Sequence, residues 1–135
     1  MPDMNAFGAM LRSDTLLVCC MLANNETGHI YPVADLVKIA RNNECKVLCD
    51  ATQAIGKIEI DVSMLGVDFM AFSAHKFGGP KGIGALYCKS ELFENVLTPI
   101  FHGGGHEKGM RPGTLNVPGI VGMGKAAEIS NRLLQ

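Results

Sequence analysis

The sequence predicts one α/β domain built on a mostly parallel β-sheet with helices on both faces. Short apolar runs alternate with amphipathic segments along the 135 residues, which is the rhythm of strand–helix–strand units. The runs are continuous rather than alternating, as is typical of strands in a parallel sheet. The last two runs are too close together for a parallel crossover, so one strand is expected to be antiparallel.

The first half of the chain is predicted to alternate between helices and strands. A short amphipathic helix is expected over residues 3–12, capped by the aspartate at its start. The apolar run 15–23 is predicted to be a strand covered on both faces. A helix follows over 32–42, where the proline suits the first position and the apolar residues share one face. Residues 46–50 are predicted to be a second buried strand.

The middle of the chain is predicted to lead into a third strand. Residues 57–60 are expected to be briefly extended. Residues 61–66 read as one turn of helix with an aspartate cap and a closing glycine. The third strand is expected over 67–73.

The remainder begins with the antiparallel strand, expected over 83–88. A helix is predicted over 90–97, and the glycine-rich segment 101–114 is expected to be irregular. A final helix is predicted over 117–134, with a proline near its start.

Composition argues against two classes of partner. The net charge of −1 offers no basic surface for nucleic acid or for an anionic membrane. The longest apolar run, 16–23, is too short to span a bilayer, and the chain opens without a secretory pattern. We therefore expect a cytoplasmic protein, or a mitochondrial one if the source is a eukaryote.

The five cysteines are an odd number and include no C-x-x-C pair. Most of them stand inside apolar runs, where a free cysteine behaves as a small hydrophobic residue. We therefore expect reduced, packed thiols rather than a disulfide framework.

A zinc site at His102 and His106 is the metal alternative. The two histidines are four residues apart, a spacing that chelates well on a helix. The three glycines between them oppose a helix there. We therefore expect no metal.

Polar residues follow the ends of three successive predicted strands. The first strand leads to Asn24 and Asn25, the second ends at Asp50, and the third leads to His75 and Lys76. In open α/β sheets the ligand lies beyond the carboxyl ends of the strands. These side chains are therefore predicted to converge on one crevice.

The residue types at these ends match the needs of a pyridoxal phosphate site. A lysine can form a Schiff base with a carbonyl, and an aspartate can hold the nitrogen of a pyridinium ring. Ser73 and His75 can bind a phosphate, and Gln53 is close enough along the chain to Asp50 to bond the same ring. The alternatives are a surface loop with a solvated Lys76 and a helix-capping Asp50.

Four segments together carry a resemblance to a known family. They are MLANNETG at 21–28, DATQ at 50–53, FSAHKFGGPKGIGALY at 72–87 and HGGGHEKGMRPGT at 102–114. In order and spacing they resemble cysteine desulfurases of the NifS/IscS type, which belong to the class V aminotransferase group of fold-type I pyridoxal phosphate enzymes. Selenocysteine lyases are close relatives with much the same pattern.

The resemblance implies a role for each matching residue. Lys76 would hold the cofactor as a Schiff base and then shuttle a proton. Asp50 would pair with the ring nitrogen, Gln53 with the ring's phenolic oxygen, and Ser73 and His75 with the phosphate. The substrate carboxylate would be bound by Asn25, and the phosphate of a neighbouring subunit by Thr114, so a homodimer is implied.

The resemblance covers only the middle portion of the family's large domain. It implies that residues 1–135 are one fragment of the pyridoxal-phosphate-binding domain, without the small C-terminal domain or the loop bearing the nucleophilic cysteine. The implied function is desulfuration of cysteine, with sulfur passed to an acceptor protein for iron–sulfur cluster biosynthesis. The alternatives are selenocysteine lyase, another class V enzyme, and a non-catalytic module that binds cofactor or dimerises.

Overall fold

The computed structural model describes residues 2–134 and contains five α-helices and four β-strands among them. The helices are α1 (Met4–Met10), α2 (Val33–Asn42), α3 (Val62–Leu65), α4 (Ser90–Asn95) and α5 (Val117–Leu133). The strands are β1 (Leu17–Met21), β2 (Lys46–Asp50), β3 (Phe69–Ser73) and β4 (Gly84–Cys88). Every predicted helix and strand is present, with bounds two or more residues shorter than predicted for α1, α3, α4, β1 and β3.

The four strands form one sheet in the order β1-β2-β3-β4. The first three strands are parallel to one another, and β4 runs antiparallel to β3. Helices pack around the sheet, so the predicted fold class is confirmed. The antiparallel reversal follows from chain length, because ten residues between β3 and β4 are fewer than a crossover requires.

Local capping sets the ends of the short helices. The Asp3 carboxylate accepts hydrogen bonds from the backbone N–H groups of Asn5 and Ala6 at the start of α1. Asp61 does the same at α3, at 2.7 Å and 3.2 Å. Gly66 ends α3 in the left-handed region, with φ 72°, as the closing glycine predicted.

The main core lies between α2 and one face of the sheet, which we call the packed face. The apolar stripe of α2 is buried as predicted, and the packed face presents Val47, Cys49 and Met70 to it. Successive strand residues point to opposite faces, so Leu48 and Asp50 belong to the other face of β2. The strand–helix–strand unit thus leaves Asp50 outside this core.

The opposite face, which we call the open face, is less covered than the sequence predicts. On β1, Leu17 is 44% exposed and Cys19 is exposed, and on β4 Leu86 is 55% exposed. The prediction that the first strand is covered on both faces is therefore wrong for the described residues. Its apolar run indicated burial, but β1 lies at the edge of this sheet and α2 packs only on its other face.

The cysteines are free thiols, as predicted, but they are not all packed. Cys45 and Cys49 are buried, while Cys19 is exposed on the open face. Cys20 and Cys49 are register partners on the packed face. A hydrogen bond with the Cys49 thiol lowers the pKa of Cys20, and the same bond together with burial raises the pKa of Cys49.

A buried charge joins the three strands β2, β3 and β4. Asp68, just before β3, is 6% exposed, and its Oδ2 accepts a hydrogen bond from the Val47 N–H at 2.8 Å. Its Oδ1 accepts from Lys89 Nζ at 3.2 Å, directly after β4. The Lys89 ammonium also donates to the Gly66 carbonyl at 3.1 Å. We call this group the Asp68 clamp.

A second, smaller core fixes the turn that follows β3. It consists of Ala74, Phe77 and Ala126, the last from α5. The Ser130 hydroxyl of α5 donates to the Phe77 carbonyl at 3.2 Å. Gly56 packs so closely here that a Cβ would lie 2.6 Å from Phe77 Cβ. The turn is therefore held by α5 and by the segment after β2.

Two loop predictions change in detail. Residues 57 and 58 belong to a run of turns rather than to the extended piece predicted over 57–60. Segment 101–114 is irregular as predicted and includes a tight turn over His106–Gly109 in which Glu107 and Lys108 have positive φ. None of the helices among residues 2–134 has the length and apolar character needed to cross a membrane.

Candidate functional site

The carboxyl ends of the three parallel strands lie at one edge of the sheet. Met21 is in register with Asp50, and Asp50 with Ala71. Two backbone hydrogen bonds continue this ladder beyond the strands, from Leu22 N to the Asp50 carbonyl and from Ala51 N to the Ala71 carbonyl, both 2.9 Å. The three strands therefore end at one edge of the sheet, and the convergence of their polar side chains on one crevice stays a prediction.

Lys76 lies on a 3₁₀ turn, Ala74–Phe77, that begins directly after β3. The turn buries Ala74 and Phe77 and exposes His75 and Lys76. Gly78 closes it with φ 87°, a conformation that favours glycine. Within residues 2–134, Lys76 Nζ makes no hydrogen bond or ion pair, so a rigid turn presents an unengaged amine.

Asp50 is half-buried at the end of β2, and only one of its oxygens has a partner. Its Oδ1 accepts from the Thr52 N–H at 2.8 Å, while Oδ2 has no partner within residues 2–134. The hydrogen bond from the Thr52 N–H fixes the Asp50 carboxylate. Because this bond is a local contact within the turn, it partly supports the alternative that Asp50 serves as a cap. Since Ala71 is the register partner of Asp50, Ser73 lies on the same open face.

A shallow depression of about 240 Å³ lies on the sheet at Asp50. Its lining combines apolar and thiol side chains with this single carboxylate, and consists of Cys19, Cys20, Met21, Leu48 and Asp50. The surroundings suit the edge of an aromatic ring better than a strongly solvated ion.

The two asparagines after β1 have different surroundings. Asn24 Oδ1 accepts from the N–H groups of Glu26 and Thr27, both at 2.9 Å, and from the Thr27 hydroxyl at 3.2 Å. It therefore builds the turn. Asn25 is exposed, and its Nδ2 donates to Glu26 Oε1 at 2.6 Å. Of the pair, Asn25 is the residue whose side chain makes no hydrogen bond to the backbone, and its role toward the substrate stays a prediction.

Gln53 follows Asp50 on a compact turn and is half-buried. Its Oε1 accepts from Lys57 Nζ at 2.9 Å, and its backbone carbonyl accepts from the same ammonium at 3.1 Å. Sequence reasoning missed Lys57. The signal was its i, i+4 spacing from Gln53, but the predicted extended piece over 57–60 separated the two.

Thr114 is not joined to the other predicted site residues. It is exposed in the irregular segment before α5, and its side chain makes no hydrogen bond within residues 2–134. Its expected role requires a neighbouring subunit, so the role remains a prediction.

The donor set at the sheet edge fits pyridoxal phosphate. The cofactor's aldehyde needs an amine, which Lys76 supplies, and its ring nitrogen needs a carboxylate, for which Asp50 keeps one oxygen without a partner. Its phosphate needs hydrogen-bond donors, and Ser73 and His75 make no side-chain hydrogen bond within residues 2–134. These groups are therefore available rather than paired with one another.

Comparison with known sequences gives a family and curated relatives. The sequence pattern of the aminotransferase class-V family matches residues 1–134. Cysteine desulfurase IscS of Anaeromyxobacter dehalogenans (strain 2CP-C) is 54% identical over 122 residues, which are 90% of this chain and 30% of that protein. The chain thus spans about a third of the length of the curated relatives it matches.

Solved structures resemble the fold closely. A protein described as NifS-like superposes with a TM-score of 0.90 and 45% identity, covering 98% of this chain and 36% of that chain. A structure described as SspA in complex with cysteine has a TM-score of 0.88 and 38% identity, covering 94% of this chain and 36% of that chain. At these identities the likeness extends beyond the fold.

Proposed function

Because the chain belongs to the class V aminotransferase family, we propose that it is the cofactor-binding part of a pyridoxal-phosphate-dependent cysteine desulfurase. The observation that carries this proposal is the position of Asp50 at the end of β2 and of Lys76 just after the adjacent parallel strand β3. Each has a polar atom without a partner within residues 2–134. Relatives that are about half identical and are named cysteine desulfurase support the choice of reaction.

Seven residues of this chain would bind cofactor or substrate. Lys76 would attach the cofactor, Asp50 and Gln53 would hold its ring, and Ser73 and His75 its phosphate. Asn25 would bind the substrate carboxylate, and Thr114 would reach a partner subunit. When bound, pyridoxal phosphate supplies an electron sink that makes the bonds at the substrate's α-carbon easier to break.

The chain's own contribution is orientation and proton transfer. The Asp50 carboxylate, fixed by the Thr52 N–H, keeps Oδ2 available to hold a proton on the ring nitrogen. The Lys76 amine stands on a turn anchored by Phe77, so it can take a proton from the substrate's α-carbon and return it. The turn limits its movement to the side chain, which favours repeated transfer in one geometry.

Covalent labelling of Lys76 tests the proposal. We expect that incubation of the chain with pyridoxal phosphate, followed by borohydride reduction, adds one phosphopyridoxyl group to the peptide containing Lys76. The Lys76→Ala variant should lose this label because no other amine follows β3 so closely. Peptide mass spectrometry measures the site and the extent of labelling.

Lys81→Ala is the matched control, since Lys81 is exposed five residues further on and has no role in the proposed site. It should label as fully as the unaltered chain. Labelling that spreads evenly over the exposed lysines, or that survives in Lys76→Ala, would refute cofactor attachment through Lys76.

The sulfur-removal step is expected to be missing from the chain by itself. A thiolate must attack the substrate sulfur, and all five cysteines lie within strands or directly beside one. Cys19 and Cys20 line the depression at Asp50, but a thiol on a strand cannot move to the substrate sulfur as a thiol on a mobile loop can. We therefore expect no sulfide above the level given by free pyridoxal phosphate when the loaded chain receives cysteine and a reductant.

A colorimetric sulfide assay measures this, with a complete cysteine desulfurase as the positive control. Catalytic sulfide production by the chain alone would show that one of its own cysteines acts as the nucleophile. Replacing the exposed Cys19 by serine would then be the first way to identify it.

The biological setting is part of the same proposal. Residues 1–135 would form one part of the large domain, in a homodimer that acts in the cytoplasm. The sulfur would pass to an acceptor protein for iron–sulfur cluster assembly. The IscS-named relatives support the iron–sulfur part of this setting.

A further inference from the structure

The segment after β2 folds into two consecutive tight turns. The Ala51 carbonyl accepts from Ala54 N and Ile55 N, both at 2.9 Å. The Ala54 carbonyl accepts from Lys57 N at 3.0 Å and from Ile58 N at 3.1 Å. These bonds wind the chain as one helical turn does, and residues four apart on such a turn lie side by side. Gln53 and Lys57 are therefore neighbours although the segment is not a regular helix.

Lys57 holds Gln53 at two points. Its ammonium donates to Gln53 Oε1 at 2.9 Å and to the Gln53 backbone carbonyl at 3.1 Å. The side-chain oxygen and the backbone carbonyl of Gln53 thus accept hydrogen bonds from the same Lys57 ammonium group. This double contact restricts the Gln53 side chain to a small part of its rotamer range.

The chemistry of the pair fixes which end of the Gln53 amide is bound by Lys57 and which end is left to bind another group. An ammonium group has three donors and no acceptor, so it can bond only the oxygen of a glutamine amide. The Gln53 Nε2 group is consequently directed away from Lys57, and it has no acceptor within residues 2–134. It presents two free N–H donors three residues after Asp50.

We propose that Lys57 is a positioning residue that orients the Gln53 amide as a hydrogen-bond donor toward the phenolic oxygen of the bound cofactor. The phenolic oxygen accepts hydrogen bonds. If the Gln53 amide were rotated by half a turn, its own oxygen would face the phenolic oxygen, and two acceptors would repel each other. Lys57 does not touch the cofactor in this arrangement and acts only through Gln53. The inference rests on the proposed function, because it needs pyridoxal phosphate at this site.

A double-mutant cycle tests whether Lys57 acts through Gln53. We expect Lys57→Met to weaken pyridoxal phosphate binding about three- to tenfold when Gln53 is present, the range that corresponds to one well-formed hydrogen bond. In the Gln53→Ala background the same change should alter the dissociation constant by less than about twofold, because the group that Lys57 orients is gone. Absorbance titration measures both.

Two further variants test whether Lys57 acts by positioning Gln53, or whether binding weakens because the chain has lost a positive charge or its fold. Lys57→Arg should restore most of the affinity, since a guanidinium also donates and has no acceptor. Lys38→Met removes another exposed lysine, one that pairs with Asp35 on α2, and it should leave binding unchanged. Urea unfolding of each variant reports whether the fold is intact.

A measurement without cofactor follows the amide directly. In a ¹⁵N–¹H spectrum, the Gln53 side-chain N–H₂ resonances should move toward their unfolded positions in Lys57→Met and stay near their original positions in Lys57→Arg. Unchanged Gln53 resonances in Lys57→Met would overturn the inference. Equal loss of affinity in the two Gln53 backgrounds would also overturn it.

The outcomes also separate this inference from the proposed function. If the unaltered chain takes no pyridoxal phosphate on Lys76, the proposed function fails and the role of Lys57 fails with it. If the unaltered chain is labelled on Lys76 but Lys57→Met binds equally well, only the positioning role is refuted.

Discussion

Replacing Asp68 by alanine is expected to lower the free energy of unfolding by about 3–4 kcal/mol, since removing one partner of a buried ion pair leaves the other charge uncompensated. The change would remove the acceptor of the buried Val47 N–H and the partner of Lys89 together. An unsatisfied buried N–H by itself costs about 1–3 kcal/mol. The Asp68 clamp joins three strands, so its loss should destabilise the whole sheet.

Asp68→Asn separates the two parts of this effect. The amide oxygen can still accept from Val47 N, but the charge opposite Lys89 is lost, so we expect a smaller destabilisation than for alanine. Asp14→Ala is the surface control, because the Arg12–Asp14 pair is 76% and 66% exposed and such pairs contribute at most about 1 kcal/mol. Equal unfolding midpoints in urea for Asp68→Ala and Asp14→Ala would contradict a structural role for the clamp.

Gly56→Ala is the second change with a large expected effect, about 2–4 kcal/mol of lost stability. Part of this is conformational, because Gly56 has φ +71° and a residue with a Cβ is strained there. The larger part is steric, since the new Cβ would lie 2.6 Å from Phe77 Cβ and 3.0 Å from Ser130 Oγ. The Phe77 turn would have to move away from α5.

Gly28→Ala is the matched control for Gly56→Ala. Its φ is +69° and nothing lies within 4 Å of the Cβ position, so only the conformational cost of about 1 kcal/mol is expected. The difference between the two variants measures the packing around Phe77. Since Phe77 follows Lys76 directly, Gly56→Ala should also reduce labelling of Lys76, while Gly28→Ala should not. Equal stability of the two variants would refute the close packing at Gly56.

Much of the architecture was predictable because its signals are local. The apolar stripe of α2 is buried on the predicted residues, and Asp3, Asp61 and Gly66 cap helices where their types indicated. The antiparallel direction of β4 followed from chain length alone. The strand-end positions of Asp50 and Lys76 followed from the strand assignments, because parallel strands end at one edge.

The errors arose where burial or contact depends on the rest of the molecule. An apolar run cannot reveal whether one or both faces are covered, and Leu17 and Cys19 proved to be exposed. The contact of Lys57 with Gln53 was missed because the turns at 51–58 carry no strong helical pattern. The role of Thr114 remains a prediction, since it requires a second subunit.

The sequence by itself determined where the candidate site residues lie: Lys76, Asp50 and their neighbours stand at strand ends that local apolar runs define. Tertiary structure decided which of their atoms are available. The Asn24 side chain is bonded within its turn, the Asn25 side chain bonds only the Glu26 carboxylate, and Gln53 Oε1 accepts from Lys57. It also decided that Asp68, an unremarkable acid in the sequence, is a buried clamp. The physical reason is that hydrogen-bond partners and burial arise from contacts between distant segments, which local patterns along the chain do not reveal.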